Sequence, residues 1–415
     1  MSTIDFVYAI EVTILIIFSL KSRKKFGFII NHYTLTNLFW CGVLMLSIYY
    51  NTYDRPISNE VYYIFFIGLI SFNLSMFTSK IKRIPDQIVS KDFSLKKRRI
   101  LEIMTLLAVV PLAYKNLKLL LSGVDLWIIN HEYWDEGRQG SYFEMFYSQN
   151  VIQPLSSVLM ATCFFAKYRD SSYYSKWISI ILAVSFALLN MLLTGGGRTG
   201  LITLVYIMLL SMIAGRIIKD SSIVYSINLK WIAGFIILGF IGIAWSSAGR
   251  GDSSSLMEVL SFRLALSPAV FEGYYYDEAF WRSHTWGLSM FETPFVILTM
   301  PLRLLGISFD FERLSTLEQL PHWTPADGLE HNAVVTAYLY YLKDFGLAGV
   351  VIGPFLVGKI YNIIWNYFRK EPFLLFFYFS GICVTCLDTY YPFARGFTFV
   401  LIFALLYNKY VKEKI

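Results

Sequence analysis

Three short stretches of the chain put arginine where an anion would be welcome. Gly195-Gly196-Gly197-Arg198-Thr199-Gly200 is a tight turn between two apolar runs. Glycines let backbone N–H groups approach a ligand closely, and successive N–H groups in such a turn form an anion nest. Arg198 also opens the following apolar run, where a helix N-terminus would add a favourable dipole. Arg250 lies between glycines in Ser247-Ala248-Gly249-Arg250-Gly251-Asp252, with Asp252 beside it as an orienting carboxylate. Arg138 is flanked in the same way in Trp134-Asp135-Glu136-Gly137-Arg138-Gln139-Gly140. A guanidinium is a planar fork of donors that fits phosphate or carboxylate bidentately. Arg198, Arg250 and Arg138 are therefore expected to bind an anionic ligand; the plainer alternative for each is an ion pair with a nearby carboxylate.

A fourth stretch offers proton transfer. Glu330-His331-Asn332 precedes an apolar run, Ala333 to Leu342, that ends at Lys343-Asp344-Phe345-Gly346. That run is too short to cross a bilayer, and a full-length apolar run follows Gly346. Residues 331–345 thus read as a half-helix or a surface helix turning back. A neutral imidazole at its start can take a proton near pH 7, which makes His331 the first choice of general base and Glu330 the second. A lone histidine is more often structural. Aromatic residues, Tyr275 among them, cluster in this stretch; they suit an interfacial belt or stacking on sugar rings, and Trp281 and Trp323, far from any apolar run, are the better candidates for stacking. No metal-ligand spacing and no G-x-S-x-G elbow occurs, so no metal and no cofactor is expected. Cys383 and Cys386 form a C-x-x-C, but inside an apolar run with no further ligand, where they read as small embedded residues.

The elements that must hold these residues follow from composition. Of 415 residues, 56% are hydrophobic and only 16% charged, where a soluble chain carries about 25% charge. Apolar runs fall near 4–20, 34–50, 61–78, 100–120, 151–166, 177–194, 199–215, 231–247, 346–368, 372–388 and 396–408. The expected fold is all-α, a polytopic integral membrane protein of about eleven transmembrane helices forming one membrane domain over 1–415. The first run lacks the basic start and the cleavage site of a signal peptide, so it is expected to be retained.

Lysines and arginines crowd alternate connections: Lys21, Arg23, Lys24 and Lys25, then Lys80, Lys82, Arg83, Lys91 and Lys96 to Arg99, then smaller groups ending in Lys409 and Lys412. Short basic loops stay in the cytoplasm, which puts the N-terminus outside and the C-terminus inside. The net charge of +7 is thus topological and predicts no nucleic-acid partner. The other side carries mainly arginine and the two long connections, 121–150 and 248–330, the second being the large late loop. No inner connection is long enough for a nucleotide-binding domain, and no Walker or Rossmann glycine pattern occurs, which excludes an ATP-driven pump and a nucleotide-sugar transferase. Arg250-Gly251-Asp252 is a chance tripeptide and not an adhesion motif.

The apolar run leading into Thr194 to Gly200, the late outer loop, and His331-Asn332 followed by Tyr341-Leu342-Lys343-Asp344-Phe345-Gly346-Leu347-Ala348-Gly349 together resemble the bacterial oligosaccharide repeat-unit polymerases, the Wzy family that builds O-antigen and related polysaccharides. The His-Asn to Gly-x-x-Gly stretch is also similar to O-antigen ligases. The resemblance implies a GT-C-like helical bundle in the bacterial inner membrane. It implies transfer of a growing glycan from undecaprenyl pyrophosphate to the non-reducing end of a new lipid-linked repeat unit, at the outer leaflet and without a metal. Arg198, Arg250 and Arg138 would then hold pyrophosphate, His331 or Glu330 would serve as base, and Trp281, Trp323 and Tyr275 would bind glycan. Membrane lipid and a chain-length regulator protein are the other partners implied. An O-antigen ligase, with lipid A core as acceptor, and a lipid-linked oligosaccharide flippase are the alternatives. A flippase usually keeps its functional charges inside the bundle, whereas these arginines fall at loop junctions.

Overall fold

The computed structural model describes residues 3–49, 57–85, 94–123, 151–169, 173–193, 256–291, 336–371, 373–379 and 395–411, with scattered positions between 295 and 331. The architecture is all-α; a ribbon of two residues on each strand is the exception among the described residues. In chain order the elements are α1 (Thr3–Phe26), α2 (His32–Tyr49), α3 (Asn59–Leu74), α4 (Leu95–Leu121), α5 (Gln153–Arg169), α6 (Tyr173–Leu193), α7 (Leu256–Tyr276), α8 (Glu278–Arg282), β1 (His322–Trp323), β2 (Glu330–His331), α9 (Ala337–Phe368) and α10 (Arg395–Val411). The apolar runs at 4–20, 34–50, 61–78, 100–120, 151–166, 177–194, 346–368 and 396–408 fall largely on helices. Those at 199–215 and 231–247, and Cys383 and Cys386, lie outside the described residues.

The segment 248–330, read from sequence as one long loop, contains α7 and α8. Pro268, Glu258, Arg263 and Glu272 interrupt the hydropathy of α7, yet Ala265 to Tyr274 are buried almost without a break and the helix packs along α2 and α3. Among the described residues one helix, Ala337–Phe368, is long and apolar enough to cross a membrane; Asn59–Leu74, Pro154–Cys163, Trp177–Phe186 and Val400–Val411 are apolar but shorter. Large apolar side chains face outward on several helices, among them Met104 and Leu107 on α4, Ile181 on α6 and Ile363 on α9, with Leu107 and Ile363 each 68% exposed.

The chain gathers into two compact units: Met1–Arg83, Tyr225–Tyr367 and Gly381–Ala394 form the first, and Ile84–Val224, Phe368–Ser380 and Arg395–Ile415 the second. In the first unit, local signals set the helix ends. Gly27 (φ 89°) closes α1, its N–H reaching the Arg23 carbonyl at 2.8 Å, as a left-handed glycine commonly does. Asn31 starts α2 by accepting from the Tyr33 and Thr34 N–H groups at 3.1 and 3.2 Å. Ser58 caps α3 with its hydroxyl on the Val61 N–H.

Buried polar groups then tie helices whose apolar faces carry little directional information. Asn37 of α2 and Asn73 of α3 exchange amide bonds at 3.1 and 2.7 Å, and Asn37 also reaches the Leu15 carbonyl and Ser19 hydroxyl of α1. Tyr33 links α2 to Ser75 at 2.8 Å and to Asn362 of α9 at 2.7 Å. Glu11 of α1 accepts from the Tyr62 hydroxyl. Around them pack two aromatic groups, Phe26, Phe28, His32, Tyr33, Tyr361 and Trp365 in one and Trp40, Phe65, Phe271 and Tyr338 in the other.

In the second unit α5 and α6 form a hairpin against which α4 packs, with Val109, Ala113 and Ile152 at its centre. Glu102, fully buried, takes Arg99 at 2.6 Å and Arg98 at 3.5 Å and accepts from the Cys163 thiol. A buried carboxylate needs such partners to stay charged. The end of α10 joins the start of α4 through the Ser94 N–H on the Val411 carbonyl.

Helix α9 is not continuous. Phe345 (φ −139°, ψ 17°) and Gly346 (φ 60°, ψ −148°) break it, the latter in a region open only to glycine. The first half, 337–344, doubles back on the second, so that Tyr341 lies against Gly349 and Gly353. Alanine at Gly349 would drive a Cβ into the Tyr341 carbonyl, which is backbone and cannot swing away, whereas Gly42 in α2 faces open space. Gly349→Ala is expected to lower stability by about 1–3 kcal/mol and Gly42→Ala to leave it unchanged or raise it by about 0.5–1 kcal/mol, read as thermal unfolding of the purified variants.

Candidate functional site

The turned-back half of α9 organises one end of the first unit. Its start is deep: the Tyr338 ring rests on Gly68 of α3, about 13 Å from the helix start, and its hydroxyl donates to the Phe65 carbonyl. Its tip carries Lys343 and Asp344, both almost fully buried. The Asp344 carboxylate accepts from the Thr285 hydroxyl at 2.6 Å and from the Ser289 and Met290 N–H groups at 2.9 and 2.7 Å. The Lys343 ammonium donates to the Phe280 carbonyl and the Ser283 hydroxyl, both at 2.8 Å, and lies 4.4 Å from the centre of the Phe280 ring. The backbone completes the joint, with the Thr285 and Trp286 N–H groups on the carbonyls of Lys343 and Asp344. Two buried charges of opposite sign thus pin α8 and the turn after it to the break in α9.

The end of α7 meets α3 at the same end. Glu272, fully buried, accepts from the Ser58 N–H at 2.8 Å, and the Tyr275 hydroxyl reaches Glu60 at 3.4 Å. Burial, and then the Glu60 carboxylate beside it, hold the Tyr275 hydroxyl protonated beyond its ordinary range. Its one hydrogen is directed to Glu60, so toward any further group the hydroxyl oxygen accepts. Glu278 and Arg282 of α8 add an exposed pair at 2.6 Å.

The ribbon carries the residues expected to do acid–base work. β1 and β2 are antiparallel, with His322 opposite His331 and Trp323 opposite Glu330. Neighbours along a strand fall on opposite faces and cross-strand partners share one. The backbone register thus sets position 331 opposite 322 and position 330 opposite 323. α7 packs against β1, and the short chain from His331 to the buried Thr336 keeps the ribbon within about 18 Å of the start of α9.

Of the residues expected to act, Tyr275 is described in full, whereas Trp281, Trp323, Glu330 and His331 are described by their backbone in α8, β1 and β2. Arg138, Arg198 and Arg250, with most of the connection 121–150, lie outside the described residues. Glu60, Glu272, Lys343 and Asp344 had no role in the sequence reading. Their signal was present only for Lys343 and Asp344, charges in the middle of an apolar motif. Among the described residues no group of three His, Cys, Asp or Glu could hold a metal ion.

The opposite end of the first unit is basic. Lys25 donates to the Met76 carbonyl at 2.6 Å, Arg83 to the Lys24 carbonyl, Lys359 to the Thr78 carbonyl, and Asn366 brackets the Lys80 to Lys82 backbone. Burial pulls the Lys25 ammonium below its ordinary range. Compared with known proteins, the chain matches no family model, no curated protein and no solved structure.

Replacing Asp344 by alanine strands three donors inside the protein. The loss expected is about 3 kcal/mol of stability, with Asp344→Asn milder, measured as the shift in thermal unfolding. The ribbon register makes a second prediction. A His322→Cys/His331→Cys double variant should form a disulfide on mild oxidation, and a His322→Cys/Glu330→Cys variant should not, as read by mobility shift after proteolysis between the two positions.

Proposed function

We propose that this chain is a polytopic enzyme of the bacterial inner membrane, with about eleven spans, that polymerises lipid-linked oligosaccharide repeat units at the outer leaflet. The observation that carries the reading is the polarity of the first unit. The connections richest in lysine and arginine meet at one end; the carboxylates Glu60 and Glu272, Tyr275 and the Lys343–Asp344 joint meet at the other. That is the separation expected of a bundle with a cytoplasmic face and a working outer face. The outward-facing apolar side chains on α4, α6 and α9 support a lipid surround. The resemblance of Thr194 to Gly200 and of His331 to Gly349 to the repeat-unit polymerases supplies the substrate class.

In this reading His331 takes the proton of the acceptor hydroxyl as that oxygen bonds to the anomeric carbon of the growing chain. The bond from the anomeric carbon to pyrophosphate breaks with its electron pair, and undecaprenyl pyrophosphate leaves. A pyrophosphate is a weak base, so its departure calls for charge stabilisation more than for protonation. Arg198 and Arg250 supply this as bidentate donors, with Arg138 beside them. Glu330, beside it in the chain, is the second choice of base. Tyr275, Trp281 and Trp323 bind the glycan.

Purified protein in detergent, given the source cell's own undecaprenyl-pyrophosphate-linked repeat units and no nucleotide or metal, should yield a ladder of lengthening glycans on a gel. Label passing instead to added lipid A core identifies a ligase. Inactivity in both arms together with leaflet exchange in liposomes identifies a flippase. Arg198→Ala and Arg250→Ala are each expected to slow the ladder at least about 100-fold while the protein reaches the membrane normally, and Arg→Lys to fail nearly as badly because a point charge lacks the fork. Normal polymerisation by both alanine variants sinks the pyrophosphate clamp.

A further inference from the structure

Trp286 combines two features that rarely meet in one residue. Its indole is 74% exposed, and its backbone is left-handed at φ 53°, alone among the described non-glycine residues in having a positive φ. A bulky side chain is a true outlier there, and such a conformation persists only where the surroundings over-determine it. The surroundings here do so. The Trp286 N–H is held by the Asp344 carbonyl at 3.3 Å and the preceding N–H by the Lys343 carbonyl at 3.2 Å. Asp344 then grips the turn on the far side through Ser289 and Met290, and Gly287 follows at φ 94°. T-shaped contacts with His284 (5.5 Å) and Phe345 (6.3 Å) steady the ring itself.

We propose that Trp286 is a sugar-stacking platform, a binding position for one ring of a glycan, oriented by the Lys343–Asp344 joint. An indole face suits the C–H face of a pyranose, and its surroundings suit the hydroxyls at the ring's rim. The Ser283 and Thr285 hydroxyls are spent on Phe280 and Asp344, which leaves the exposed Glu278–Arg282 pair of the preceding helix to offer an acceptor and donors. An interfacial-belt tryptophan is the rival role. A belt residue needs depth but no fixed azimuth, because the headgroup region looks alike in every lateral direction. A platform needs a fixed plane: the left-handed backbone sets the direction in which the side chain leaves the turn, and the edge contacts with His284 and Phe345 hold the ring. Nothing in the order of residues marks Trp286 above the other tryptophans; the backbone does.

The glycan identity deepens the polymerase reading and rests on it, but binding is measured without turnover. The probe is the free oligosaccharide released by mild acid from the source cell's lipid-linked repeat units, titrated by calorimetry into purified protein. Trp286→Ala and Trp286→Leu should each weaken its affinity at least about tenfold, while Trp286→Tyr, which keeps an aromatic face, stays within about threefold of wild type. All three should unfold at the wild-type temperature, since the ring is exposed. Unaltered affinity in Trp286→Ala, equal affinity in the leucine and tyrosine variants, or no saturable binding by wild type each overturns the platform. Unchanged glycan affinity with loss of stability only in lipid nanodiscs overturns it in favour of a belt residue. A wild-type ladder with an unaffected alanine variant refutes the platform and leaves the polymerase standing. Lost binding without any ladder does the reverse.

Discussion

Asp344 is a fully buried carboxylate with three donors, and much of one end of the first unit depends on it. It sits where α9 breaks, two residues before a glycine in a conformation closed to other residues, and it is gripped by a turn more than fifty positions earlier in the chain. Lys343 beside it repeats the arrangement with opposite charge. Burying two charges costs several kcal/mol each unless every hydrogen bond is made, so the joint tolerates little movement. From it follow the doubled-back path of α9, the position of α8 and the left-handed backbone at Trp286. The joint also sets Tyr341 against Gly349 and Gly353, which explains why that contact needs glycine.

The same logic holds at lower stakes elsewhere. Helices α1, α2, α3 and α9 are apolar over much of their surface, and apolar packing alone leaves register loosely fixed. The Asn37–Asn73 exchange, the Tyr33–Ser75–Asn362 chain and the Glu11–Tyr62 pair fix it by leaving a polar atom unpaired in any slipped arrangement. In a lipid surround, with apolar side chains outward, such bonds would act as directional contacts between helices.

Much of the helical fold was legible in the sequence, because a run of some twenty apolar residues has few other uses. The break at Gly346 was legible too, since a short apolar run ends there on two charges and a glycine, but the half-helix read over 331–345 starts at Ala337, and His331 lies in β2 instead of at its opening. What failed to show was α7. Its proline and three charges disguise a helix whose second half is buried, and only the Glu272 bond to Ser58 reveals where one of those charges goes. The ribbon is too short for any alternation to register, so nothing local announces that the chain pairs position 331 with position 322. Asp344 was visible as part of a motif, but its partners are distant in the chain and no spacing encodes them. The strained backbone of Trp286 is a consequence of that joint and equally invisible. Arg198, Arg250 and Arg138 rest on the sequence argument alone.

The account stands or falls on which way the two ends of the first unit face. The most direct measurement is cysteine accessibility in intact spheroplasts with a membrane-impermeant thiol reagent, in a background lacking the native cysteines. The carboxylate end should face outward, so Arg282→Cys should label at once, and Lys80→Cys, at the basic end, only after the membrane is opened. Labelling of both in intact cells, or of Lys80→Cys alone, would contradict the account at its root.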